Sequence, residues 1–159
     1  MVLFLIHFSS PLKAEEPPLL LFTLSYFNFL HNDYNALEGR VEYRSDFQFW
    51  ELKTFAGVTA TTDGTFYGLV GVFHDFYFGN NFVLTPSFAP GYFSKGNGKD
   101  LAYRLEFRSQ IELSYRFENS SRLGINFNHI SNAALGKRNP GVESLAVHYA
   151  IPTNIIFRN

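Results

Sequence analysis

Residues 101–117 read LAYRLEFRSQIELSYRF. The odd positions are Leu101, Tyr103, Leu105, Phe107, Ser109, Ile111, Leu113, Tyr115 and Phe117; the even positions are Ala102, Arg104, Glu106, Arg108, Gln110, Glu112, Ser114 and Arg116. Successive side chains of a strand point to opposite faces, so this stretch predicts one strand with an apolar face and an ionic face. It is far longer than the usual strand of about 5–6 residues. Residues 37–44 repeat the pattern, with Leu37, Gly39, Val41 and Tyr43 set against Glu38, Arg40, Glu42 and Arg44.

Turn signals punctuate the rest of the chain: His31-Asn32-Asp33-Tyr34-Asn35, Asp63-Gly64, Gly79-Asn80-Asn81, SKGNGKD at 94–100, ENSS at 118–121 and KRNPG at 137–141. Asp-Gly between alternating runs is a strong hairpin signal. Between the turns lie about eight strands, near 19–29, 36–45, 49–60, 65–78, 82–93, 101–117, 121–131 and 142–151. Eight antiparallel strands can close into a barrel, which removes both sheet edges. The polar face alternates Arg and Glu on separate strands, which suits an interior filled by ion pairs beneath an apolar exterior. That inverted polarity belongs to transmembrane barrels, whose strands run about 9–11 residues. The expected fold is therefore all-β, an eight-stranded antiparallel transmembrane β-barrel. Arg104, Glu106, Arg108 and Glu112 should point inward and pair with Glu38, Arg40, Glu42 and Arg44. Tyr26, Tyr103 and Tyr115, at strand ends, suit interfacial girdles. A soluble lipocalin-like lipid binder is the alternative and would need those four charged residues outside. A non-catalytic barrel with a structural or adhesion role is another.

Composition agrees with a single aromatic-rich domain. The chain has 159 residues, 46% of them apolar and 18% aromatic, which excludes disorder. A net charge of −1 offers no basic field to gather nucleic acid. The absence of cysteine excludes a disulfide scaffold, a thiol nucleophile and Cys-ligated zinc. No Asp/Glu group has calcium-loop spacing and no His pair has zinc spacing, so no metal or other cofactor is expected. Residues 1–14, MVLFLIHFSSPLKA, read as a secretory signal peptide, with the barrel domain over 15–159. No Lys or Arg precedes the apolar stretch, so the given start is expected to lie inside a longer signal; an ordinary apolar N-terminal strand is the alternative reading.

The chemistry concentrates in residues 123–152, LGINFNHISNAALGKRNPGVESLAVHYAIP. Leu123, Ile125 and Phe127 set the apolar face, and parity continues it through His129 and Ser131. On the next strand Leu145, Val147, Tyr149 and Ile151 are apolar, and the same face reaches back to Glu143. Three polar residues thus interrupt a lipid-facing surface at one end of one hairpin, where charge costs stability. His129 and Ser131 stand about 7 Å apart on one face. With Glu143 across the hairpin, the spacing allows a Ser–His–carboxylate relay. His148 falls inward as a partner in the ionic core. His74 reads as structural, and Asp75, Lys53 and Glu51 as members of interior or rim pairs.

Asn128-His129-Ile130-Ser131-Asn132-Ala133, followed by Asn139-Pro140-Gly141-Val142-Glu143-Ser144, resembles the active-site hairpin of the outer-membrane lipid A deacylases, the PagL or acyloxyacyl hydrolase family. The resemblance covers about 30 residues and matches in spacing from His129 to Glu143. It implies a carboxylic ester hydrolase of the Gram-negative outer membrane. Ser131 would be its nucleophile, His129 its general base and Glu143 the residue that orients His129. It also implies that Asn139 helps bind the oxyanion with backbone N–H groups after Ser131, and that Asn132 supports that loop. The expected partners are lipid A in lipopolysaccharide, outer-membrane lipid and a second copy in a homodimer. Lys137 and Arg138, in the adjoining loop, are the candidate contacts for lipid A phosphates, with solvated loop charges as the alternative reading. Two features depart from the family: Ala134, where Gly is expected, and Arg158-Asn159 after Phe157, where a terminal aromatic is usual.

Overall fold

A computed structural model describes residues 16–157. The signal-peptide reading of residues 1–14 and the terminal Arg158-Asn159 lie outside the described residues. The strands are β1 (Leu19–Phe27), β2 (Ala36–Phe49), β3 (Leu52–Thr61), β4 (Phe66–Phe73), β5 (Phe76–Phe78), β6 (Phe82–Ser94), β7 (Leu105–Arg116), β8 (Arg122–Ser131) and β9 (Val142–Pro152), followed by a single helical turn, Thr153–Ile156. The sheet order is β4-β3-β2-β1-β9-β8-β7-β6-β5, and β4 also pairs with β6. The sheet therefore closes on itself. All pairings are antiparallel, and the first strand, β1, pairs with the last, β9.

Nine strands make eight passes. β4 and β5 keep one register against β6: Phe73 stands opposite Ser87, and Phe76 opposite Leu84. The interruption falls at His74-Asp75, across from Pro86, whose nitrogen carries no hydrogen for the ladder. His74 still donates its own N–H to the Pro86 carbonyl, at 3.2 Å. Its ring packs 4.4 Å from Phe76, a structural place in keeping with its sequence reading. Asp75 leaves the strand to receive both Arg122 terminal nitrogens at 3.0 Å.

The polarity is inside out. Glu38, Arg40, Glu42 and Arg44 are buried on β2, as are Glu106, Arg108, Gln110, Glu112 and Ser114 on β7. Phe22, Leu24, Val41, Val58, Val70, Ile111, Leu113, Ile125, Val147 and their neighbours form an exposed apolar belt. No soluble barrel could carry this surface, and the lipocalin-like alternative falls with it. The outward aromatics Tyr26 and Tyr115 both stand near the C-terminal ends of their strands, which run in opposite directions, so they mark opposite rims of the barrel as girdle residues do.

The interior combines salt bridges with an apolar wall. Arg44 makes a two-pronged contact with Glu112, at 3.1 and 2.7 Å, and Arg108 reaches Glu42 at 2.6 Å. His148 lies 3.2 Å from Glu112, in the ionic core where parity placed it. Phe55, Tyr67, Leu69, Phe73 and Ala89 pack along the β3–β4–β6 side, which the alternation of charges did not foretell.

Two expectations for residues 101–117 need correction. Ala102 adopts a left-handed conformation (φ 67°), and the strand begins only at Leu105. The turn breaks parity upstream. Leu101 is buried in the core, and Arg104 is exposed, its guanidinium donating to the Tyr92 hydroxyl at 2.5 Å. Glu106 does point inward, but its carboxylate has no hydrogen-bond partner among the described residues.

Candidate active site

β8 runs toward the rim opposite Leu19 and Pro152 and finishes on Ser131; β9 begins the return at Val142. Across this hairpin Ile130 pairs with Val142 and His129 with Glu143. Ile130 and Val142 are buried, so their neighbours His129, Ser131 and Glu143 take the outward face. The pleat sets the three polar residues on one face where the apolar belt ends, and it brings His129 and Glu143 into direct contact.

The His129 Nδ1 and Glu143 Oε1 atoms are 2.9 Å apart. The side chains are 43% and 17% exposed respectively, so the imidazole is open to the surroundings while the carboxylate is shielded. With its proton on Nδ1, the ring donates to Glu143 and presents Nε2 as a base, two residues along the strand from a hydroxyl. Gly141 makes the approach possible. A Cβ built there would overlap the His129 ring. The glycine of the Gly-x-Glu-Ser motif thus clears the space that the imidazole occupies.

The chain after Ser131 turns sharply. Ala133 and Ala134 are both left-handed, with φ 51° and 63°; the second is the position where the family resemblance expects glycine. The Asn139 Oδ1 accepts the N–H of Asn132 at 2.9 Å. That amide, the first after Ser131, is therefore held by Asn139. The buried Asn132 side chain donates to the carbonyls of Leu101 and Arg138, each at 2.9 Å, and so ties the 132–141 loop to the loop before β7. Lys137 and Arg138 are exposed in this same loop.

The other rim loops join the network. Lys99 Nζ donates to Asn28 Oδ1 at 2.9 Å, and Thr65 Oγ1 donates to the Lys95 carbonyl at 2.8 Å. Burial pushes the Asp63 carboxyl up, but hydrogen bonds from Thr61 and Thr65 outweigh it and hold the carboxyl below the usual range. The Ala102 N–H and the Lys95 ammonium likewise hold Asp100 low. A cleft of about 280 Å³ opens beside these loops, lined by Tyr92, Lys95, Asp100, Tyr103 and Arg104. No group of three or more His, Cys, Asp or Glu among the described residues could hold a metal ion.

One neighbour of the site carried no sequence signal. His31, in the loop after β1, places Nε2 3.5 Å from Glu143 Oε2. The loop reads only as polar. Its proximity to Glu143 depends on the closure of β1 against β9.

Comparison with known proteins follows the same lines. The family model for lipid A 3-O-deacylase (PagL) matches residues 22–152. Among solved structures, the outer membrane enzyme PagL superposes with a TM-score of 0.68 at 21% identity, covering 84% of this chain and 99% of that one. A de novo designed transmembrane β-barrel gives 0.64 at 9% identity, over 87% and 97% of the two chains. Neisserial surface protein A gives 0.55 at 11% identity, over 85% and 95%. At such identities the likeness to these structures speaks for the fold alone. No curated protein matches the sequence.

Proposed function

The chain belongs to the lipid A 3-O-deacylase (PagL) family, and on that premise we propose that Ser131, His129 and Glu143 carry its hydrolysis of lipid A. The protein is an outer-membrane hydrolase that acts on lipid A. What remains to be assigned is which side chains do the work. The observation that carries the assignment is the outward-facing His129–Glu143 contact at 2.9 Å, at the rim and on the same strand face as Ser131.

In this reading Ser131 Oγ attacks the ester carbonyl of an acyl chain. His129 Nε2 takes the hydroxyl proton, and Glu143 holds the imidazole in the tautomer that leaves Nε2 free. The carbonyl oxygen becomes an oxyanion, for which the Asn139 amide nitrogen and the backbone N–H groups of Ala133 and Ala134 are the proposed donors. The Asn132 N–H is not among them, because Asn139 already holds it. Collapse breaks the bond to the sugar oxygen, and His129 returns the proton to that leaving group. Water, activated by the same base, then releases the fatty acid from Ser131.

The location fits the substrate. The site opens sideways at the edge of the apolar belt, so an acyl chain can enter from the outer leaflet without leaving the bilayer. The start of β1 at Leu19 and the end of β9 at Pro152 lie at the opposite rim, so the site is on the outer side when that rim is periplasmic. Lys137 and Arg138 are proposed to meet the lipid A phosphates. Every proposed catalytic group comes from one chain, so assembly as a homodimer would leave this chemistry unchanged.

Mass spectrometry of lipid A from cells expressing the protein tests the assignment. Wild type should remove one acyl chain, and Ser131→Ala none, with both proteins folded by heat-modifiable gel migration. Deacylation by Ser131→Ala at the wild-type rate would overturn it.

A further inference from the structure

We propose that His31 is a positioning residue of this site, donating from Nε2 to the second oxygen of Glu143 and so completing a His–Glu–His arrangement. The inference rests on the assignment of Ser131, His129 and Glu143 made above. Glu143 uses one oxygen on His129. Its other oxygen, Oε2, is buried and has no hydrogen-bond partner among the described residues. A buried carboxylate oxygen without a donor is costly, and it leaves the carboxylate free to rotate away from the imidazole. The His31 Nε2, 3.5 Å away, is placed to cap it. A small movement of the ring brings it within hydrogen-bond distance.

The loop that carries His31 is built to keep it there. Asn28, wholly buried and left-handed (φ 59°), is its hub. The Asn28 carbonyl accepts the His31 N–H at 3.1 Å and the Asn35 side-chain amide at 2.8 Å. The same Asn35 amide donates to the His31 carbonyl at 2.9 Å. The Asn28 side chain donates to the Asp33 carbonyl and receives Lys99. The loop is also fastened directly to the catalytic hairpin. The Phe29 N–H donates to the Glu143 carbonyl at 3.1 Å, and the Phe29 ring meets Phe127 edge-on at 6.1 Å. The backbone on both sides of His31 is therefore held, and the residue two positions before it is bonded to Glu143 itself. The His31 ring itself is 49% exposed, so its place beside Glu143 is set by this bonded loop backbone and not by burial of the side chain.

The two imidazoles then divide the work. His129 exchanges protons with Ser131 and the leaving group, while His31 fixes the carboxylate that orients it. His31 acts only through Glu143, and this gives it a kinetic signature. Fatty acid release from lipid A would be measured for refolded wild type, His31→Ala, His31→Gln, Glu143→Ala and the His31→Ala/Glu143→Ala double variant, each checked for folding by gel migration. His31→Ala should lower kcat about tenfold, the size of one charge-assisted hydrogen bond, with KM unchanged. His31→Gln, which keeps a donor, should restore part of that loss. The double variant should be no slower than Glu143→Ala alone.

Wild-type kcat in His31→Ala would overturn the proposal. So would a raised KM at constant kcat, or a double variant slower than Glu143→Ala by the full His31→Ala factor. If instead Ser131→Ala retained activity, the assignment beneath the proposal would fail, whatever the His31 variants did.

Discussion

Among the described residues, two groups of serine, histidine and glutamate differ in the order of their contacts, and the outer one is the group proposed for the chemistry. Inside, Ser114 Oγ lies 3.1 Å from His148 Nε2, and Glu112 Oε1 lies 3.2 Å from that same nitrogen. Carboxylate and hydroxyl crowd one side of the ring, so no relay runs through it. Glu112 is also committed to Arg44, and neither His148 nor Glu112 has any exposed side-chain surface. Outside, Glu143 takes Nδ1, and the other ring nitrogen of His129 faces away from it. The half-open imidazole can meet a lipid. The difference is one of connectivity and exposure, not of residue type. The inner group belongs to a charge lattice, and the outer one is the group proposed to transfer a proton.

The sharpest test exchanges the two serines. Ser131→Ala, like His129→Asn, should cut fatty acid release by at least about 10³-fold, while Ser114→Ala should deacylate lipid A at the wild-type rate. An active Ser131→Ala beside an inactive Ser114→Ala would reverse the comparison.

The two glutamates should then separate rate from stability. Glu143→Ala should slow hydrolysis by about 10²-fold, less than loss of the nucleophile, because the carboxylate orients the imidazole and does not itself carry the proton. Its unfolding free energy in lipid vesicles should change by under about 1 kcal/mol, since the pair sits at an open rim. Glu112→Ala should behave in the opposite way. It strips the buried Arg44 guanidinium of both hydrogen bonds to a carboxylate, leaving only the longer 3.7 Å contact with Glu42, and should cost about 3 kcal/mol in urea unfolding from the same vesicles. Equal stability losses in the two variants would erase the distinction.

Two glycines sharpen it further. A Cβ at Gly141 would strike the His129 ring, and one at Gly124 would strike the His148 ring and the Leu113 carbonyl. Gly141→Ala should lower kcat about 10²-fold by displacing the base, with little change in stability. Gly124→Ala should cost about 1–3 kcal/mol by overpacking the interior and leave kcat near wild type.

The smallest effect is on pH. Asp63 and Asp100, in the rim loops, have carboxyls held below their ordinary range. Their contribution to loop stability is complete above the unfolded value and is lost as pH falls through the folded one. Below roughly pH 4, the Thr65 and Ala102 amides should therefore lose hydrogen-exchange protection while barrel amides keep theirs. Protection of both amides retained at pH 2 would show that the carboxyls do not hold the loops.

Alternation along β2, β7, β8 and β9 was enough to read an inside-out barrel. A strand's pleat turns sequence parity directly into facing, with no need of distant contacts. The same logic put His129, Ser131 and Glu143 on one outward face, because a hairpin is short-range and its register is set by its own turn. Parity failed wherever a local backbone choice intervened. A left-handed Ala102 sent Leu101 into the core and Arg104 to the surface, and Pro86 accompanied a gap in the fourth pass. Other features lay beyond any local pattern. The partners of Glu42 and Glu112, the lack of a partner for Glu106, and the arrival of His31 beside Glu143 depend on strands brought together across the barrel or by the β1–β9 seam. Facing is a property of neighbours in the chain. Pairing across a closed barrel is settled only when closure sets every strand's stagger at once, and that is decided by the tertiary structure.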